Sequence, residues 1–146
     1  MKRHATAFWH GALADGTGVL DTESGTLKNA GYSFASRFEP DRGETADTNP
    51  EELLAAAHAG CFAMQLSHML AEDGTPAEEL NARCDVEIVK DGDGFTIKSS
   101  ALKLTGKVPG ISNGDFEKIA NKAKETCPMS KALGAIDISL EAELAD

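Results

Sequence analysis

Thr48-Asn49-Pro50-Glu51-Glu52-Leu53-Leu54-Ala55-Ala56-Ala57-His58-Ala59-Gly60-Cys61-Phe62 is the stretch around which the rest of the chain can be organised. Asn49 can cap a helix. Pro50 suits the first helical position, where its missing N–H is not needed, and Glu52 completes a spacing like that of a capping box. The helix is expected to run through Leu53, Leu54, Ala57, Cys61, Met64 and Leu66 to about Met69 or Leu70, and Gly74-Thr75-Pro76 stops it. It is apolar around much of its circumference, and such a helix belongs in the middle of a fold.

Upstream, Phe8 to Phe38 is broken by turn signals at Ala14-Asp15-Gly16, Glu23-Ser24-Gly25 and Asn29-Ala30-Gly31, which predicts a strand meander. Asp41 to Thr48 is a polar connection. Downstream, a short helical piece is expected around Ala77 to Leu80. Two strands then face each other across Asp91-Gly92-Asp93-Gly94, with Val86, Ile88, Leu102 and Leu104 alternating against polar neighbours. Ser112 to Thr126 has Phe116, Ile119, Ala120 and Ala123 at helical spacing, with Ser112 or Asn113 as cap. Pro128 breaks this helix and opens a second short one through Leu133. The chain ends in a half-buried strand that alternates Ile136, Ile138, Leu140, Ala142 and Leu144 with polar residues.

The 146 residues suit one domain, 1–146, with a single core. Aromatic residues make up only 5%, so that core must rest on aliphatic and alanine packing, and a partner chain can usefully complete it. A net charge of −10 repels a phosphate backbone, which argues against nucleic acid as a partner. No uninterrupted apolar run follows Met1-Lys2-Arg3, and His58, Gln65, Ser67 and His68 interrupt the apolar stretch from Leu53 to Leu70. A soluble, cytoplasmic protein with no membrane partner is expected. Three widely spaced cysteines match no disulfide framework of a small secreted domain, so their reactivity is the first question.

Cys61 is mid-helix with alanine and glycine nearby, and by itself it reads as a small buried hydrophobe; Cys127 is what changes that reading. Cys127 stands at the N-cap of the helix opened by Pro128, where unpaired N–H groups and the positive dipole end favour thiolate; the plain alternative is a cap with no chemistry. Cys84, in an alternating strand with no base or cation near it in sequence, reads as structural. Glu51 and Glu52 suit the first turn of the long helix whatever their use. Ten residues separate Glu51 from Cys61, roughly 15 Å of helical rise, so Glu51 can serve Cys61 only across a subunit interface or through a broken helix. Arg37 lies among aromatic residues and can either snorkel from a strand or enter a site. His58, three positions before Cys61, raises a Cys–His pair or a zinc site with Cys61 and Cys127, but no metal-binding spacing accompanies it and no metal is expected.

Thr48 to Phe62, together with Cys127-Pro128-Met129-Ser130-Lys131-Ala132-Leu133, resembles the OsmC/Ohr family of thiol-dependent hydroperoxide reductases. The resemblance extends over essentially the whole chain, including Gly25 to Leu27, Arg37-Phe38-Glu39 and Val108-Pro109-Gly110-Ile111, and His58 and its surroundings look more like the OsmC branch. It implies an α+β fold with antiparallel strands wrapped around a long central helix in an intertwined homodimer whose two active sites lie at the subunit boundary. By the same resemblance Cys61 is the peroxide-attacking cysteine, Cys127 resolves it as a Cys61–Cys127 disulfide, and Arg37 with Glu51 sets up the thiolate. The implied activity is reduction of organic hydroperoxides, and of hydrogen peroxide, in oxidative and osmotic stress defence. No cofactor is implied beyond an external dithiol reductant, for which lipoyl-type dithiols are candidates. The competing expectation is a noncatalytic dimeric module that binds an apolar small molecule.

Overall fold

A computed structural model describes residues 1–39 and 47–145. Most of the expected polar connection, Asp41 to Ala46, lies outside the described residues. The chain divides into two compact units, Met1–Leu53 and Leu54–Asp146.

In the first unit, β1 (Ala5–His10), β2 (Thr17–Thr22) and β3 (Ala30–Ser33) form an antiparallel sheet in the order β1-β2-β3. Gly18 of β2 stands opposite Trp9 on one side and Tyr32 on the other. A side chain at Gly18 would collide with the Tyr32 ring. Its absence lets Trp9 and Tyr32 meet across the central strand with ring centroids 5.3 Å apart. The meander stops sooner than its aromatic content suggests, because Phe34–Phe38 is a helix, α1. Ser33 and Ser36 account for this: each hydroxyl accepts from the other's backbone N–H, a capping box that turns the chain out of the sheet. Arg37 is therefore on a helix and not on a strand.

The long helix α2 spans Pro50–Glu72. Asn49 Oδ1 accepts from the Glu52 N–H at 2.8 Å, while the Glu52 carboxylate accepts from the Thr48 hydroxyl at 3.0 Å. At the other end Gly74 adopts φ +83°, and the N–H groups of Gly74 and Thr75 return to the carbonyls of Ala71 and Leu70. That arrangement is a Schellman motif, which glycine allows without steric cost.

In the second unit, β4 (Glu79–Asp91) and β5 (Gly94–Lys107) form a hairpin whose two-residue turn begins with Gly92 at φ +57°. The helical piece expected around Ala77 to Leu80 does not form. Glu78 N–H donates to the Lys107 carbonyl at 2.8 Å, and Glu79 and Leu80 already pair with Lys107 and Gly106, so the backbone bonds are taken by the sheet. After β5 come α3 (Asn113–Thr126), capped by Ser112, and α4 (Pro128–Ala132); the chain then returns as β6 (Asp137–Leu144). β6 pairs parallel to β5, so this pairing departs from the expected antiparallel pattern. The two helices make the connection long enough for a crossover, which a parallel pair requires.

The core of this unit joins Phe62, Leu66 and Leu70 of α2 to Leu102 and Leu104 of β5, Val108, Phe116, Ala120 and Ala123 of α3, and Cys127. The buried stripe of α2 advances four residues at a time through His58, Phe62, Leu66 and Leu70, while Met64 is 76% exposed. Gly106 admits the Phe116 ring, since a Cβ there would stand 2.6 Å from its Cζ. Phe116→Ala empties this fully buried position and is expected to lower unfolding free energy by about 3–5 kcal/mol, measured by urea denaturation.

Candidate active site

Two constellations stand out, one in each unit. In the first, Arg37 of α1 grips Glu51 of α2 with two parallel contacts. Nη2 donates to Oε1 at 2.7 Å, and Nε donates to Oε2 at 3.1 Å. The Phe38 ring lies under the guanidinium, 4.9 Å from Cζ to centroid. Local bonds hold this pair in place. Ser36 Oγ donates to the Thr48 carbonyl at 2.9 Å, Thr48 N–H donates to the Gly31 carbonyl, and Asn49 starts α2 so that Glu51 falls in its first turn. Glu51 is only 7% exposed, and a bidentate arginine is what a buried carboxylate needs. Beside the pair is a cavity of about 320 Å³ lined by Trp9, Leu13, Tyr32, Phe34, Arg37 and Phe38.

In the second constellation, α2 presents Cys61, and the break between α3 and α4 presents Cys127. Cys127 Sγ donates to Cys61 Sγ at 3.0 Å, and both are free thiols. Cys127 is fully buried and Cys61 half-buried. Cys127 does stand at the N-cap of α4, with Pro128 behind it, but its side chain makes no cap hydrogen bond. The backbone N–H that α4 offers, from Met129, bonds the Cys61 sulfur instead. Burial pushes the Cys61 thiol up. The adjacent Cys127 sulfur adds to the rise, because two negative sulfurs side by side repel, and the Met129 N–H pulls the other way. The amide N–H expected to act on the Cys127 sulfur thus acts on that of Cys61.

His58 lies on the buried stripe of α2 and is fully enclosed. Its Nδ1 stands 2.7 Å from Ser100 Oγ, and its Nε2 stands 2.9 Å from Ser130 Oγ. Burial pushes the imidazole down, so the ring is neutral, with one nitrogen donating and the other accepting. Both nitrogens are thereby engaged by serines and neither is directed at Cys61. Cys84 has more company than its strand neighbours suggest: its Sγ is 3.0 Å from Ser100 Oγ and 3.8 Å from His58 Nδ1. Burial pushes the Cys84 thiol up, the Ser100 bond opposes this, and the Asp85 charge adds to it. Met129 and Ser130 lie in the quoted motif, but the contacts that they and Ser100 make had no signal in the sequence, since their partners lie far away along the chain. Among the described residues no group of three His, Cys, Asp or Glu side chains is placed to hold a metal ion.

Known proteins resemble this chain in sequence and in fold. Residues 43–141 match the family model described as OsmC-like protein. The chain is 44% identical over 144 residues to Peroxiredoxin OsmC of Escherichia coli (strain K12), covering 99% of this chain and 97% of that one. It is 35% identical over 97 residues to the organic hydroperoxide resistance protein OhrA of Bacillus subtilis (strain 168), covering 64% and 66% of the two. The crystal structure of the organic hydroperoxide resistance protein OhrB of Bacillus subtilis superposes with a TM-score of 0.74 at 29% identity, over 96% of this chain and 98% of that one. The match over residues 43–141, the 44% identity over nearly the whole chain and the shared α+β frame show that the chain belongs to the family of OsmC-like proteins.

Proposed function

We propose that this chain is a thiol-dependent peroxidase that reduces organic hydroperoxides through Cys61 and Cys127. The observation that carries this is the pair of free sulfurs 3.0 Å apart, with a backbone N–H directed at one of them. Full-length similarity to Peroxiredoxin OsmC supports the same activity and a place in stress defence. The Cys61 thiolate attacks one peroxide oxygen, the O–O bond breaks, and the departing alkoxide takes a proton to leave as alcohol. Cys61 is then a sulfenic acid, oxidised by two electrons. The Cys127 thiol condenses with it, releasing water and forming the Cys61–Cys127 disulfide. An external dithiol reduces the disulfide by exchange and becomes a disulfide itself; lipoyl-type dithiols are the candidates.

Arg37, oriented by Glu51, is assigned to the charge that develops on the departing oxygen. The aromatic-lined cavity beside it suits the organic part of an alkyl or aryl hydroperoxide, and hydrogen peroxide, which has no such part, is the poorer substrate. The chain is assigned to a homodimer in which Arg37 and Glu51 of one copy serve Cys61 of the other. Two observations support the pairing. Phe8 and Leu13 are 64% and 67% exposed in a unit none of whose described residues belongs to the buried apolar core. By length and composition α2 is apolar enough to cross a bilayer, yet only 22% of its most apolar window is buried within one chain. A second copy covering these surfaces removes both from water. Residues 1–146 then act as one domain, for which the unbroken run of α2 through Leu53 and Leu54 speaks.

The test is to treat fully reduced protein anaerobically with one equivalent of tert-butyl hydroperoxide, count thiols and map disulfides in unreduced peptides. Three free thiols should fall to one, Cys84, with Cys61 joined to Cys127. Three surviving thiols would remove the peroxidase proposal.

A further inference from the structure

Among the described residues of the second unit, His58 is a fully buried ionisable side chain that the reaction above does not use, and its contacts run beside those of the cysteines. On α2, His58 and Cys61 are three residues apart; across from them, Ser130 and Cys127 are also three apart. Two parallel contacts therefore join the same two segments: Cys61 Sγ to Cys127 Sγ at 3.0 Å and His58 Nε2 to Ser130 Oγ at 2.9 Å. The segment held in this way, α4, has five residues, too few to stand as a helix without tertiary contacts. His58 is itself anchored from the opposite side by Ser100 of β5, which also meets Cys84.

The two contacts fare differently in the reaction. When Cys61 becomes a sulfenic acid, its sulfur carries a hydroxyl and the thiol–thiol contact of the reduced pair is replaced, so Cys127 must reach that sulfur on the side away from the S–O bond that breaks. The His58–Ser130 bond is untouched. We propose that His58 is a positioning residue for the resolving step: through Ser130 it keeps the first turn of α4 docked on α2 while Cys61 is oxidised, so that Cys127 closes before a second peroxide arrives. This rests on the assignment of Cys61 and Cys127 as the redox pair. Condensation needs the Cys127 thiol to reach the Cys61 sulfur and expel water, a step sensitive to displacement of α4. A sulfenic acid left waiting goes on to sulfinic acid, which is not reversed by dithiols.

The experiment uses the full-length chain and a pair of amide replacements that divide the two functions of the ring. Glutamine can place an amide near Nε2 and keep the bond to Ser130, whereas asparagine places it near Nδ1 and keeps only Ser100. His58→Gln, His58→Asn and Ser130→Ala proteins, each with its thermal unfolding recorded, are mixed with tert-butyl hydroperoxide, quenched at intervals and analysed for sulfenic acid, disulfide and sulfinic acid at Cys61. Disulfide closure is expected to slow by about tenfold or more in His58→Asn and Ser130→Ala, with sulfinic acid accumulating at high peroxide, while His58→Gln stays close to the parent. General loosening of the core would slow both amide variants alike, and that result would overturn the proposal. So would closure at the parental rate in Ser130→Ala, the least disruptive change, even if both His58 variants fail to fold. A parent that forms no Cys61–Cys127 disulfide with either the hydroperoxide or diamide would overturn the redox pair and this proposal together; fast closure in parent and variants alike would overturn this proposal alone.

Discussion

Cys61→Ser protein is expected to lose hydroperoxide turnover by at least about a thousandfold in kcat/KM, since a serine hydroxyl in the same place has no accessible anion to attack the O–O bond. The loss should occur without unfolding. Cys61 is only half-buried, packs at the margin of the core and differs from serine by one atom, so thermal stability should move little. Cys127→Ser should behave differently. Its Cys61 still reacts once with peroxide, but with no second sulfur within reach the sulfenic acid persists, turnover stalls, and sulfinic acid builds up at high peroxide. The contrast between no first oxidation and a single one, read by mass spectrometry of the Cys61 peptide, separates the attacking from the resolving sulfur. Equal turnover in Cys61→Ser and parent would end the assignment.

The second large effect concerns Arg37. Burial and the neighbouring sulfur both raise the Cys61 thiol, and among the described residues of its own unit the Met129 N–H opposes them. A guanidinium brought against this site favours the thiolate and the negative charge that develops on the departing oxygen. Arg37→Ala should therefore lower kcat/KM by about 10²–10³-fold. The sign of the accompanying pH effect follows from the same charge: thiolate requires loss of a proton, so removing the cation moves the rise of Cys61 alkylation with iodoacetamide to higher pH. Mixed dimers decide which copy supplies the arginine. A dimer of one Arg37→Ala chain and one Cys61→Ser chain has one complete site if the arginine acts across the interface and none if it acts within its own chain. Recovery of activity on mixing supports the paired arrangement, and two inactive parents that stay inactive together would refute it.

Much of this was legible in the sequence because it is written in short-range chemistry. Asn49, Pro50 and Gly74 bound α2; Gly92 turns the β4–β5 hairpin; Ser112 and Pro128 delimit α3 and open α4; and the alternation from Ile138 to Leu144 survives in β6. Caps, turns and period-two patterns act over a few residues, so their signals lie side by side in the chain. Two cysteine motifs in the right order were enough to suggest the chemistry, and the 3.0 Å separation of the sulfurs agrees with it.

What only the tertiary structure decided depends on groups far apart in the chain. Ala77 to Leu80 has helix-forming residues, but β5 offers Glu78 and its neighbours backbone partners, and paired backbone outweighs a weak local preference. α1 was hidden in an aromatic run because its start depends on two small serines whose role appears only when they face each other. Whether β6 ran parallel or antiparallel was likewise set by where α3 and α4 returned the chain to the sheet. His58 is the clearest case. From spacing alone it pointed to Cys61; in the fold it belongs to Ser100, 42 residues away, and Ser130, 72 away, with Cys84 behind them. A helix periodicity shows which face of α2 turns inward, but the identity of the polar group that meets a buried imidazole is decided by packing between elements, and such partners leave no trace in local sequence.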